Sequence, residues 1–388
     1  MRRATLMARV TVVAAAFLLT GCWSLSEVND LALITVAALD RTPEGQYRWA
    51  VIVPVPEQVT PPPLSGGGGN PSSAAGSLRT GSGPSPALAA EALEVVIPRE
   101  VRWTHADHIL IGEQAAGYGL RPVLEFSSRR YQVERRARLY VTRGDAFRVL
   151  EQYHPSLERS LARSFDEISG RFRPGTLRPV DVNTFLRWLD SPGLDPHLPV
   201  VRALSQPGSV IPAPGGIALF RKDRLAGFLR PPADRGLLFM RGEIPPFTLM
   251  VRCPEAGPSD EAVVAFRVQT TTSRVRTEGD EGNLHSRVRI DALADLFEWG
   301  CQEEPQPASV DRVARAAETE IRRQAHLALR TTRQLGVDPV GFGNALYRSN
   351  PRAWHAVAAR WRSMLATLPV TLEVRVRVRS YEMTTSPP

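Results

Sequence analysis

Apolar residues fall in short blocks along most of the chain, with a helical period emerging only toward the C-terminus. Residues 31–39 are apolar and β-branched, and residues 47–55 repeat that character. Pro43 and Gly45 lie between them, so the pattern predicts two strands joined by a turn. Residues 60–86 are dominated by Pro, Gly and Ser, including Gly66 to Gly69, and read as a flexible insertion. An Ala-rich stretch up to about residue 96 predicts a helix, with Ser85 as N-cap and Pro86 at its first position. Residues 109–111 read as a buried strand, 119–126 as a turn entering a helix and 138–142 as a strand stopping before Gly144. Residues 145–153 and 180–189 read as helices, and the Pro-bearing stretch 192–199 as a candidate boundary.

The pattern changes at Gly215. Residues 217–221 and 224–229 read as strands meeting at a polar turn around Lys222 and Asp223. Residues 237–240 and 247–251 continue the β character, and 263–272 and 284–290 are strands around a turn with Gly279 and Gly282. Val310, Val313, Ala314, Ala317, Ile321, Ala325 and Ala328 then share one helical face, with Ser309 as N-cap and Gly336 as the stop. A second helix opens at Asn350-Pro351 and buries Trp354, Val357, Ala358, Trp361 and Leu365. In the last strand Leu372, Val374, Val376 and Val378 face one way, and Glu373, Arg375, Arg377 and Arg379 the other. One dry and one wet face implies an antiparallel sheet backed by the two helices. The fold class is therefore α+β, of mixed α/β character, with an N-terminal α/β domain over 22–205, a small β-rich middle domain over 206–258 and a C-terminal α+β domain over 259–382.

Composition narrows the class. A length of 388 residues suits two or three domains, and 43% hydrophobic with 23% charged residues is a globular balance. A mean hydropathy of −0.17 and the absence of a second long apolar run exclude a polytopic membrane protein. Three cysteines exclude a disulfide-dense scaffold. The net charge is +8 and Lys222 is the only lysine, so arginine carries the positive charge. The arginines are scattered among Asp and Glu with no clustered stripe and no recognised module, which argues against nucleic acid as a partner.

The N-terminus carries the clearest signal. Arg2, Arg3 and Arg9 precede a short apolar run over residues 10–19, and then comes Leu19-Thr20-Gly21-Cys22. The run is about half the length that spans a bilayer as a helix. The arrangement resembles the lipobox of bacterial lipoproteins, with 1–21 a signal peptide that is removed and Cys22 the site of lipid attachment, where the thiol takes a diacylglyceryl group and the new amine a further acyl chain such as palmitate. Loss of the three leader arginines lowers the charge to 8 − 3 = +5. The mature chain then sits outside the cytoplasm, in a compartment that permits a Cys253–Cys301 disulfide. Two separate buried thiols remain the favoured reading, because sequence does not fix their separation.

Catalytic chemistry is hard to find. His105 and His108 lack a third ligand at a zinc spacing, and surface or strand-edge histidines are favoured. His285 falls in a strand, and Glu303-Glu304 reads as loop. There is no nucleophile elbow, phosphate-binding loop or histidine–glutamate metalloprotease motif. Trp354 and Trp361 read as core rather than a binding surface. No catalytic residue, metal ligand or cofactor-binding residue is assigned.

Cys22-Trp23 followed by Glu27-Val28-Asn29-Asp30-Leu31-Ala32-Leu33 resembles the start of the mature Ger(x)C spore germination lipoproteins. So do His108-Ile109-Leu110-Ile111-Gly112-Glu113 with Arg129-Arg130, and Ala218-Leu219-Phe220-Arg221-Lys222-Asp223-Arg224-Leu225-Ala226-Gly227. Asp338-Pro339-Val340-Gly341-Phe342-Gly343, with Trp354 and Trp361 behind it, resembles the C-terminal signature of the family. The long Gly/Pro-rich insertion and the preference for Arg over Lys depart from common members. The resemblance implies an elongated three-domain ectodomain and a non-catalytic C subunit of a nutrient germinant receptor. It implies a place on the outer face of the spore inner membrane beside two integral membrane partners, the A-type and B-type subunits. Asp338, Gly341 and Gly343 are expected to build a turn. The competing readings are a solute-binding lipoprotein of a membrane transporter, whose two similar lobes are not evident, and a surface hydrolase, which lacks a nucleophile.

Overall fold

The computed structural model describes residues 30–54, 76–129, 133–153, 160–169, 179–255, 257 and 262–379. The first half runs β1 (Leu31–Leu33), β2 (Val36–Arg41), β3 (Tyr47–Pro54), β4 (Gly76–Gly83), α1 (Pro86–Val95), β5 (Glu100–Arg102), β6 (His108–Gly112), α2 (Glu113–Tyr118), α3 (Arg121–Arg129), β7 (Arg138–Thr142), α4 (Phe147–Glu151), α5 (Leu161–Ile168), β8 (Val180–Asp181) and α6 (Val182–Asp190). Then follow β9 (His197–Gln206), β10 (Ser209–Arg221), β11 (Arg224–Leu229), α7 (Ala233–Arg241), β12 (Phe247–Arg252), β13 (Val263–Glu278), β14 (His285–Trp299), α8 (Pro307–Leu335), α9 (Phe342–Ser349), α10 (Pro351–Val357), α11 (Trp361–Thr367) and β15 (Val370–Val378).

The fold is α+β. A nine-stranded mixed sheet has the order β11-β10-β9-β7-β6-β2-β3-β4, with β8 beside β7. Its centre is parallel, β2 to β6 to β7 to β9, and its strands there are buried on both faces. One face carries Leu39, Trp49, Ile109 and Ile111 into a core with α1, α3 and Phe185 of α6. The other carries Val36, Ala38, Leu110 and Tyr140 against α4 and α5. A continuous apolar run such as Ile109-Leu110-Ile111 is what a doubly covered parallel strand requires.

Part of the Gly/Ser-rich stretch is ordered structure. Residues 55–75 lie outside the described residues, but β4 pairs antiparallel with β3 along its whole length. Helix α1 lies directly on it. A Cβ on Gly81 would come within 2.2 Å of the Leu93 nitrogen, and one on Gly83 within 2.7 Å of the Ala89 nitrogen. Glycine is there to let helix backbone meet strand backbone, and a composition reading mistakes that for flexibility. Ser85 caps α1 through the Leu88 N–H at 3.2 Å, with Pro86 in the first turn, as expected.

Residues 206–258 form no sheet of their own. β10 and β11 finish the nine-stranded sheet, while β12 opens the second one. Residues 237–240, expected as β, are the buried turn of α7, which closes at Gly242 in the left-handed region (φ 65°). Gly236 lets this helix pack closely on α8, where a Cβ would meet the Gln324 carbonyl oxygen at 2.0 Å.

The second sheet has the order β12-β13-β14-β15 and buries one face against α7 to α11. β12, β13 and β14 are antiparallel as expected, but β15 joins β14 in parallel. Helices α8 to α11 lie between those two strands and supply the long crossover a parallel pair needs. Ser309 is not the N-cap of α8: Gln306 is, and the two side chains form a reciprocal capping box. Gly336 closes the helix with φ 61°, as its position predicts.

β10 belongs to both halves. Ala218 and Phe220 point into the N-terminal core, Ile217 and Leu219 into the C-terminal core. The period of two in one strand therefore ties two hydrophobic cores together.

Candidate functional site

Cys22 lies outside the described residues, so its lipid is argued from sequence alone. The most concentrated polar chemistry in the described chain is a joint where four segments meet: the loop before β9, the β10–β11 turn, the loop after α8, and α11.

Asp338 is the centre. Its carboxylate is fully buried and accepts four N–H bonds. Oδ1 takes Gly341 N–H at 2.8 Å and Phe342 N–H at 3.0 Å, and Oδ2 takes Gly343 N–H at 2.8 Å and Trp361 Nε1–H at 3.1 Å. The turn role expected of the signature is what these bonds describe. Gly341 has φ 84°, a left-handed position that suits glycine. Gly343 is needed for a different reason: a Cβ there would lie 2.7 Å from the Trp354 ring and 2.9 Å from the Cα of Gly193. Burial pushes the Asp338 carboxyl up to about 6, against the pull of the Gly343, Phe342 and Gly341 N–H groups.

Asp195 completes the joint. It exchanges backbone bonds with the Asp338 segment, since Asp195 N–H donates to the Asp338 carbonyl at 3.0 Å and Asp338 N–H donates to Asp195 Oδ2 at 2.9 Å. Lys222 N–H reaches Oδ1 at 3.2 Å from a turn in which Lys222 itself has φ 57°. Arg362 from α11 binds both oxygens, each at 3.1 Å, and also donates to the Gly336 carbonyl at 2.6 Å. Asn344 adds two more bonds to the same loop, at the Gly193 and Pro192 carbonyls. Nearby, Arg241 of α7 sits 4.7 Å over the Trp188 ring of α6, which stacks on His197 at 4.5 Å. Sequence reasoning found Asp338 but missed Asp195 and Arg362. An Asp in a Pro-rich linker and one arginine among many give no local signal.

This arrangement is the chemistry of a clamp. Both carboxylates already accept N–H donors at every oxygen, and no hydroxyl or thiol faces them among the described residues.

The histidine pair is split. His105 is exposed, and His108 is fully buried in the central parallel strand β6, not at a surface or edge. Its Nδ1 lies 3.2 Å from the Tyr140 hydroxyl, which bonds the Ser169 hydroxyl at 2.8 Å, and its Nε2 lies 3.4 Å from Asp166. Burial lowers the imidazole to about 4 and raises the Tyr140 phenol to about 12. His285 is exposed at the start of β14. Trp354 and Trp361 are buried edge to face, 5.5 Å apart, as core. Among the described residues no three of His, Cys, Asp and Glu are grouped to hold a metal.

Comparison with known proteins places this geometry. Residues 25–203 match the family described as spore germination protein N-terminal domain, and residues 215–382 match the family described as spore germination B3/GerAC like, C-terminal. The chain belongs to the Ger(x)C family of spore germination proteins. Among the relatives of this Ger(x)C chain is the Bacillus subtilis (strain 168) spore germination protein YfkR, 25% identical over 370 residues covering 91% of each chain. Spore germination protein KC of the same organism is 19% identical over 415 residues, covering 97% of this chain and 96% of that one. The crystal structure of the GerBC protein shares the fold, with a TM-score of 0.57 at 14% identity over 89% of this chain and 97% of that one. The two family matches leave residues 204–214 between them, which is the β9–β10 hairpin. The joint at Asp195 and Asp338 thus binds the N-terminal family region to the C-terminal one.

Two cysteines of this Ger(x)C chain are bonded rather than free. Cys253 follows β12 and Cys301 follows β14, and the pairing of β13 with both strands brings their Cα atoms to 5.7 Å in a disulfide. Strand register, invisible in the spacing, supplies the proximity. Beside the bond lies a cavity of about 240 Å³ lined by Trp299, Glu303, Ser309 and Arg312 among others. Arg312 pairs there with Glu303, and with Glu255 at 2.9 Å.

Proposed function

We propose that this chain is the lipid-anchored C subunit of a nutrient germinant receptor. It acts without catalysis of its own, together with two integral membrane subunits of A and B type, on the outer face of the spore inner membrane. The observation that carries the reading is the pair of family matches, in order, across nearly the whole chain. The lipobox at Cys22 supports the anchor. No described helix is long and apolar enough to cross a membrane, so a lipid on Cys22 would supply the attachment. A clamp that fixes one half of the ectodomain to the other suits a part that transmits or supports contact between larger partners.

The test is an affinity pull-down of the tagged protein from detergent-solubilised spore inner membrane. Recovery of two polytopic germinant-receptor subunits is expected, and a Cys22→Ala strain should lose both membrane attachment and nutrient-triggered germination. Recovery of a transporter permease and ATPase instead would overturn the reading.

A further inference from the structure

The outward face of the four-stranded sheet is built largely of arginine. Arg274 and Arg276 of β13, Arg287 and Arg289 of β14, and Arg375 and Arg377 of β15 all lie on the side opposite the buried one. They look scattered in the sequence, and the sheet gathers them. Register sets Arg274 opposite Arg289 and Arg276 opposite Arg287, while Arg375 lies opposite Asp291 and Arg377 opposite Leu293. Like charges directly opposite each other destabilise a sheet, so this arrangement works against folding.

The acids within the block do not neutralise it. Asp291 is held by Arg289 at 3.1 Å, and Glu373 by Arg287 at 3.2 Å. Arg274, Arg276, Arg375 and Arg377 are exposed and have no ion-pair partner among the described residues. Glu278 lies on the same face two residues beyond Arg276, so six guanidinium groups against three carboxylates leave 6 − 3 = +3 on one block of one sheet face. Farther along that face Phe297 is 56% exposed and Met250 60% exposed. Strand spacing of about 4.8 Å and an alternate-residue spacing of about 6.8 Å set the charges in a closely spaced array on the sheet surface. None of these arginines lines the cavity beside the disulfide.

We propose that this face docks on the anionic phospholipid headgroups of a bilayer. A sheet face carrying four guanidinium groups with no ion-pair partner among the described residues is complementary in charge to a surface of phosphates, and guanidinium binds phosphate oxygens in a bidentate way. The exposed Phe297 and Met250 give the same face apolar groups for the headgroup boundary. An anionic bilayer takes up both the guanidinium groups and the exposed Phe297 and Met250, whereas an acidic polypeptide answers the charge alone. The proposal rests on the lipid-anchor reading only for bringing the face near a membrane; the binding itself needs no acyl chain.

The test uses the full chain carrying Cys22→Ser, so that no acyl chain contributes, and co-sedimentation with vesicles of phosphatidylglycerol or of phosphatidylcholine. Salt-sensitive binding to the anionic vesicles alone is expected. The variant R274Q/R276Q/R375Q/R377Q should weaken it by about fivefold for each arginine removed, several hundredfold together. A control, R315Q/R330Q/R348Q/R352Q, removes the same charge from exposed helical positions and should leave most of the binding. All these arginines are exposed and have no ion-pair partner among the described residues, so thermal melting should show both variants folded. Equal binding to both lipids, or equal loss in the two variants, would overturn the proposal. So would failure on vesicles combined with capture of polyglutamate by the same arginines. Acylation is read separately, by palmitate labelling of the unmutated protein, so a failed anchor and a failed face remain distinguishable.

Discussion

Asp338 shows how much one buried side chain can organise. Four N–H groups from two elements end on its two oxygens. Asp338→Asn should therefore cost about 2–4 kcal/mol, because either orientation of the amide turns its NH2 toward two donors and leaves them unpaired. Denaturant unfolding of the purified variant reads this directly; a loss under about 0.5 kcal/mol would mean the turn does not depend on the carboxylate. His108 makes a second prediction at this scale. Its native imidazole is lowered to about 4, whereas the unfolded chain binds the proton near 6.5. Between those values the unfolded state holds more protons, so the contribution of His108 to stability is present above about 6.5 and is lost as pH falls toward 4. His108→Phe, which keeps the stacking on Tyr140 and Phe165, should remove that part of the acid sensitivity. The measurement is the difference in unfolding free energy between the two proteins from pH 4 to 7. A flat difference would refute the assignment.

At the scale of elements, the Cys253–Cys301 bond closes a loop of 48 residues that contains β13 and β14. The chain-entropy estimate for such a loop is about 4 kcal/mol. A Cys253→Ser, Cys301→Ser double variant should be less stable by roughly that amount in guanidinium unfolding, and addition of reductant should move the unmutated protein to the same midpoint. The elements themselves were legible where local rules decide them. Ser85-Pro86 and Gly336 mark helix ends through capping, and the alternation of β15 identifies its buried face. Legibility failed where a distant partner decides. The glycines of β4 leave room for α1 to rest on the strand, and residues 237–240 belong to a helix that packs on α8 through Gly236. β15 is parallel because of the four helices before it. The disulfide depends on register, and the arginine face on three strands whose charges lie far apart in sequence. The turn at Asp338 was readable from Asp and Gly spacing, but its partner Asp195 lies 143 residues away and has no local signature.

At the scale of the whole molecule, the question is whether the two family regions behave as one body. They share β10, whose alternate residues fill both cores, and they are clamped through Asp195, Asp338 and Arg362. Asp195→Ala removes the carboxylate part of the clamp while leaving β10 intact. It strips the buried Asp338 N–H and the part-buried Lys222 N–H of their acceptor and leaves Arg362, which is 42% exposed, to water. Discounting the exposed arginine for solvent screening, the cost should be about 2–3 kcal/mol. Because β10 is common to both cores, that loss should appear on both sides of the joint. Amide exchange measured by mass spectrometry should then show equal loss of protection in β6 and β7 and in β13 and β14, with a single unfolding transition. Protection lost only in the four-stranded sheet would mean that the clamp, and not the shared strand, unites the halves. In that case a partner gripping one half would move it alone, whereas a shared strand obliges both halves to respond together.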